Sequence, residues 1–68
     1  MPQYYLNKNA QSTGEHEVHQ INCYKMPCLQ NCIYLGYFSN AIEAVRHAKK
    51  YYNNVDGCYY CSSEAHKQ

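Results

Sequence analysis

The sequence predicts a small α+β domain: a short antiparallel sheet, one helix, and a zinc knuckle at the C-terminal end. Three observations carry this. Only 68 residues are present, which suits one domain spanning 1–68. A single stretch, from Ala41 to Tyr52, repeats its apolar residues at helical spacing. Two short Cys/His motifs, His19-x-x-x-Cys23 and Cys58-x-x-Cys61, stand on either side of the main strand and that helix.

Gln3 to Asn7 is a Tyr-rich run of strand character. Lys8 to Gly14 is polar and reads as a hairpin loop. Glu15 to Gln20 is placed as the returning strand. Ile21 to Gln30 contains Met26-Pro27, and a proline that lacks an N–H argues for irregular structure there. Ile33 to Phe38 is the strongest strand. Ser39 or Asn40 caps the helix; with Asn40 as cap, Glu43 falls at the third helical position. Ala41, Val45, Ala48 and Tyr52 form its apolar stripe, flanked by Ile42. Asn53-Asn54 ends it, Val55-Asp56-Gly57 is read as a turn, and the tail from 62 to 68 is expected to fray.

The core is thin. There are three Val, three Leu, three Ile, one Phe and no Trp, against nine Tyr and five Cys. Below ~70–80 residues one core rarely supplies more than ~3–5 kcal/mol, so a cross-link or a metal is expected. Five cysteines cannot all pair within one chain. No signal-peptide pattern opens the sequence, so a cytoplasmic, reducing setting is expected, where disulfides are rare. No apolar run approaches the ~18 residues of a membrane span, and no membrane partner is expected.

Metal ligation is the remaining use for clustered cysteines. C-x-x-C lets two thiolates reach one ion from a tight turn, with Gly57 supplying the backbone twist before it. H-x-x-x-C adds two ligands from a turn of its own. The Cys₃His set His19, Cys23, Cys58 and Cys61 suits tetrahedral Zn²⁺. The alternatives are buried unligated thiols or a redox C-x-x-C, although the latter normally opens a helix within a βαβ pattern that is absent here. Cys28 and Cys32 are read as spare thiols, with a disulfide or replacement of a ligand as alternatives. His16 is an alternative to His19. His47 is placed on the solvated helix face and His66 in the fraying tail.

The chain resembles a family of short, uncharacterised bacterial proteins through Tyr4-Tyr5-Leu6-Asn7-Lys8-Asn9-Ala10-Gln11, Gly14-Glu15-His16-Glu17-Val18-His19, Ile33-Tyr34-Leu35-Gly36 and Asn54-Val55-Asp56-Gly57-Cys58-Tyr59-Tyr60-Cys61. That resemblance implies no function. More loosely, the order of an x-x-x-spaced ligand pair, a strand, an Ala-rich helix and a terminal C-x-x-C is similar to the zinc-binding domain of Ada-type DNA methylphosphotriester repair proteins. By that likeness the ligands again fall on His19, Cys23, Cys58 and Cys61. The methyl-accepting cysteine of those proteins corresponds here to His19, which cannot act as a thiolate nucleophile. The likeness therefore implies the closed zinc architecture alone.

No catalytic constellation is recognisable, and the glycines are isolated, so an enzyme is not expected. Six of the tyrosines occur as adjacent pairs, and one ring of each pair is expected outside. Tyr5, Tyr51 and Tyr59 are the candidate contacts for a protein partner or a second copy. The alternative is a nucleic-acid module using Arg46, Lys49 and Lys50 with the tyrosines. The formal charge is +1. Zinc adds two and three thiols each give up a proton, which leaves a neutral module with little to gain from counterion release.

Overall fold

The computed structural model describes residues 1–66; Lys67 and Gln68, the last of the tail expected to fray, lie outside the described residues. Strands β1 (Gln3–Asn7), β2 (His16–Gln20), β3 (Cys32–Tyr37) and β4 (Val55–Gly57) form one sheet in the order β3-β1-β2-β4. Helix α1 (Ala41–Ala48) packs against it. Short 3-10 turns occupy Leu29–Asn31 and Ser63–Ala65.

The α+β class matches the sequence reading, but the sheet is mixed rather than antiparallel. β1 pairs antiparallel with β2 and β3, while β4 runs parallel to β2. Val55-Asp56-Gly57, expected as a turn, is that fourth strand. Asp and Gly are poor strand formers, and three residues show no alternation. Pairing with β2, with Glu17 opposite Asp56, overrides local preference.

The core lies between sheet and helix. Tyr4, Leu6, Val18 and Leu35 meet Ala41, Ala44, Ala48 and Ala65 there. Leu6 sits between Val18 on one side and Ile33 on the other. The β1–β3 register skips Leu35, since Tyr4 pairs with Gly36 and Tyr5 with Tyr34. This bulge adjoins Gly36, whose φ of 115° is a conformation that suits glycine.

Asn40 caps α1, its side-chain oxygen accepting from the Glu43 N–H at 3.0 Å. Ala44 joins Ala41 and Ala48 on the buried face, whereas Ile42 is 46% exposed. Small side chains let the helix lie close to the sheet. The helix stops at Ala48, and Lys49 to Tyr51 continue as turn. His47 is half-buried against Phe38 and Tyr51 rather than fully solvated.

The tail is packed through His66. Ser62 and Ala65 are buried, and Glu64 reaches back so that its carboxylate accepts from the Ala41 N–H at 3.0 Å. A second orphan donor of the helix N-terminus is thereby satisfied. His66 Nδ1 lies 2.9 Å from the Gly57 carbonyl and 3.3 Å from Asp56 Oδ2.

Gly57 is required for space rather than for twist. A Cβ there would sit 2.6 Å from the Ser62 carbonyl oxygen and 2.8 Å from Ala65 Cβ. Gly57→Ala should therefore push the tail off β4 and cost about 1–3 kcal/mol, the usual range for overpacking. Thermal melting of the variant checks this, with a lowered midpoint expected.

Candidate metal centre

His19, one residue before the end of β2, points away from the neighbouring core residue Val18, as alternation requires. It is 0% exposed. After Gln20 the chain turns, with Asn22 at φ 68° and the Cys23 N–H donating to the Gln20 carbonyl at 3.1 Å. Asn tolerates this left-handed conformation better than most residues. The H-x-x-x-C pair is thus presented by a strand end plus a turn.

Cys58 follows β4 directly, its N–H donating to the Val18 carbonyl at 2.9 Å. The Ser62 N–H donates to the Cys58 carbonyl at 2.8 Å and closes the turn. Backbone N–H groups of Tyr60 and Cys61 are directed at the Cys58 sulfur. The Gln20 N–H donates to Cys61 Sγ at 3.3 Å. Donors aimed at sulfur favour thiolate over thiol.

These two segments bring one ligand atom each from His19, Cys23, Cys58 and Cys61 to within 4.8 Å of one another. Cys23 Sγ and Cys58 Sγ are 4.0 Å apart, and Cys61 Sγ is 3.9 Å from His19 Nδ1. A disulfide needs sulfurs at ~2.05 Å, so this is not a bonded pair. Zinc–sulfur bonds of ~2.3 Å in a tetrahedron place sulfurs about 3.8 Å apart, close to the spacing found. The donor set and the separations fit an ion such as zinc.

Burial pushes the Cys61 thiol up to about 12 and raises Cys58 as well. A divalent cation reverses that cost, because it pairs with the thiolate. Burial also holds His19 down at about 4, so its imidazole is neutral near pH 7 and its lone pair is free to bind. Its Nε2 is buried without a hydrogen-bond partner and faces Glu17 Oε1 at 3.5 Å.

All four sequence-predicted ligands are brought together. His16 is not with them: its ring stacks on Tyr52 at 3.7 Å, and its Nδ1 is 3.0 Å from the Asn7 carbonyl oxygen. Cys28 and Cys32 are free thiols outside the cluster, Cys28 exposed and Cys32 buried with its sulfur toward the Pro27 carbonyl.

The three candidate contact tyrosines are dispersed. Tyr5 is half-buried against Tyr34, Tyr51 sits by His47, and Tyr59 lies beside Tyr60 and His66. Tyr59 and Tyr60 are both exposed, contrary to the one-in, one-out expectation. They occupy a turn, where neither strand alternation nor helical spacing applies. Tyr24, exposed and directly after Cys23, meets Tyr60 edge-on at 5.5 Å. Lys25 Nζ lies 4.9 Å from the Tyr60 ring centre and 5.6 Å from that of Tyr24. Tyr24, Lys25 and Tyr60 were not among the predicted contacts. Their signal was proximity in sequence to the ligands, because residues inside a ligand turn are driven outward when the ligands converge.

No protein-family model, curated protein or solved structure matches the chain. Among the described residues, no helix is long and apolar enough to cross a membrane.

Cys58→Ser should abolish stoichiometric metal uptake and Cys28→Ser should leave it intact, as native mass spectrometry of the two variants will report. Acid adds a second check. The folded value of His19, about 4, lies below its ordinary 6.5. Between those limits the unfolded chain binds a proton that the folded chain does not, so stability rises with pH across the window and is lost as pH falls through it. Denaturant melts between pH 7 and 4 should show a progressively lower midpoint.

Proposed function

We propose that the protein is a non-catalytic, zinc-stabilised binding module whose exposed tyrosines grip a protein partner or a second copy. The convergence of His19, Cys23, Cys58 and Cys61 carries the metal half of this reading. Zinc supplies apparent binding free energies of ~10–16 kcal/mol in small structural sites, more than a core of this size provides. Four protein ligands fill a tetrahedron and leave no position for a reactive water, which supports a structural rather than a catalytic role. The loose likeness to the Ada-type domain agrees with this, with His19 where methyl transfer would need a thiolate.

The aromatic patch carries the binding half. Tyr24, Tyr59 and Tyr60 are exposed and in mutual ring contact through Tyr60. They sit on the turns that hold Cys23, Cys58 and Cys61, so a metal would make their backbone rigid. Rigid tyrosines lose little entropy on contact and bring both an apolar ring and a hydroxyl. Of the three tyrosines proposed from sequence, Tyr59 belongs to this patch. The nucleic-acid reading is less well supported. Arg46 lines two hollows, shared with Lys50 in one and Lys49 in the other, and no tyrosine lines either among the described residues.

Tyr59→Ala and Tyr60→Ala should keep the metal and melt within a few degrees of wild type, yet lose association. A hot-spot tyrosine costs ~2 kcal/mol or more on truncation, against ~0.5 for an idle surface position. Sedimentation of the purified variants reads self-association, and affinity capture from the native host reads a foreign partner. Variants that melt early and bind normally once folded would assign these rings to the fold.

A further inference from the structure

We infer that Glu17 is a positioning residue for the metal centre, fixing the tautomer and orientation of His19 through its Nε2–H; this rests on the metal reading above. His19 Nδ1 points into the cysteine cluster, 3.9 Å from Cys61 Sγ. Its other nitrogen, Nε2, is buried and makes no hydrogen bond. A buried polar atom of this kind costs roughly 1–3 kcal/mol when left unsatisfied, so it calls for a partner. Glu17 Oε1 faces it at 3.5 Å, and among the described residues no group hydrogen-bonds to it.

The backbone places the two side chains together. Glu17 and His19 are two residues apart on β2, so alternation puts both side chains on one face of the sheet. When Nδ1 gives its lone pair to a cation, the proton must reside on Nε2. That proton then points at a carboxylate. A small rotation of either side chain shortens 3.5 Å to hydrogen-bond length. A carboxylate accepting from the remote N–H raises the basicity of the ligating nitrogen and holds the ring in plane with its target.

The charges around Glu17 are mixed in sign. Three thiolates, a divalent ion and Glu17 together carry excess negative charge. Burial pushes the Glu17 carboxyl up, and Asp56 and Glu15 add to that, while His66 and Lys25 act in the opposite direction. Lys25 is the same residue whose ammonium rests over Tyr24 and Tyr60.

The test is zinc competition on the full chain against a chromophoric chelator, with Glu17→Thr and Glu17→Gln. Thr favours strands more than Glu does, so a role confined to strand stability predicts no loss in Glu17→Thr. The positioning role predicts about a ten- to hundredfold weaker zinc affinity, the usual effect of removing such a partner. Gln keeps an oxygen that accepts from Nε2–H and should recover most of that loss. Long-range nitrogen–proton spectra at saturating zinc supply the second readout. Wild type should show Nδ1 bound to metal and a slowly exchanging Nε2 proton, and Glu17→Thr should show that proton exchanging faster. If Glu17→Thr does not fold even with zinc, the wild-type and Gln spectra decide. Wild type that takes up no zinc would overturn the metal reading and this one with it. Wild type that binds zinc, with Glu17→Thr within about twofold of it or with metal on Nε2, would overturn the role of Glu17 alone.

Discussion

The structure depends on the convergence of two short segments that lie far apart in the chain. Cys23 and Cys58, 35 positions apart, bring their sulfurs to 4.0 Å. His19 meets Cys61 across 42 positions. Closing loops of this length costs chain entropy that a few contacts between thiols cannot offset. Among the described residues, the larger buried aliphatic side chains of the core are Leu6, Val18 and Leu35, helped by Tyr4 and several alanines. A cation joining the four ligands would supply the missing closure.

Much of the C-terminal third follows from that junction. β4 is three residues long and owes its place to β2 on one side and to the Cys58 turn that follows it. The turn sends the chain back beneath α1, where Ala65 enters the core and Glu64 caps the helix. Gly57 is bare because the returning strand of chain passes too close for a Cβ. The same turn lifts Tyr59 and Tyr60 outward beside Tyr24. Stability and surface thus come from one piece of geometry, and a change in the ligands would be felt in both.

The parts legible in the sequence were those written in local chemistry. β1 has its expected bounds, β3 departs by one residue at each end, and the Asn40 cap sits where Glu43 placed it. The cluster of His19, Cys23, Cys58 and Cys61 was legible because H-x-x-x-C and C-x-x-C leave few other uses for those side chains. What was hidden depends on distant partners. The parallel strand at Val55–Gly57 exists through pairing, against its own propensity. The buried face of α1 takes Ala44 and leaves Ile42 outside, since close approach to the sheet rewards small size there. The packed tail had one apolar residue, Ala65, and no pattern. The patch around Tyr60 draws on residues 24 and 60, which only the fold makes neighbours.

In the proposed site one ion is held by three sulfurs and one nitrogen with no solvent ligand. X-ray absorption at the zinc edge, on protein purified with zinc, tests it most directly. The expected result is a first shell of three sulfurs at ~2.3 Å and one nitrogen at ~2.0–2.1 Å. A shell with an oxygen in place of a protein ligand, or with two sulfurs, would contradict it, as would folded protein that holds no zinc.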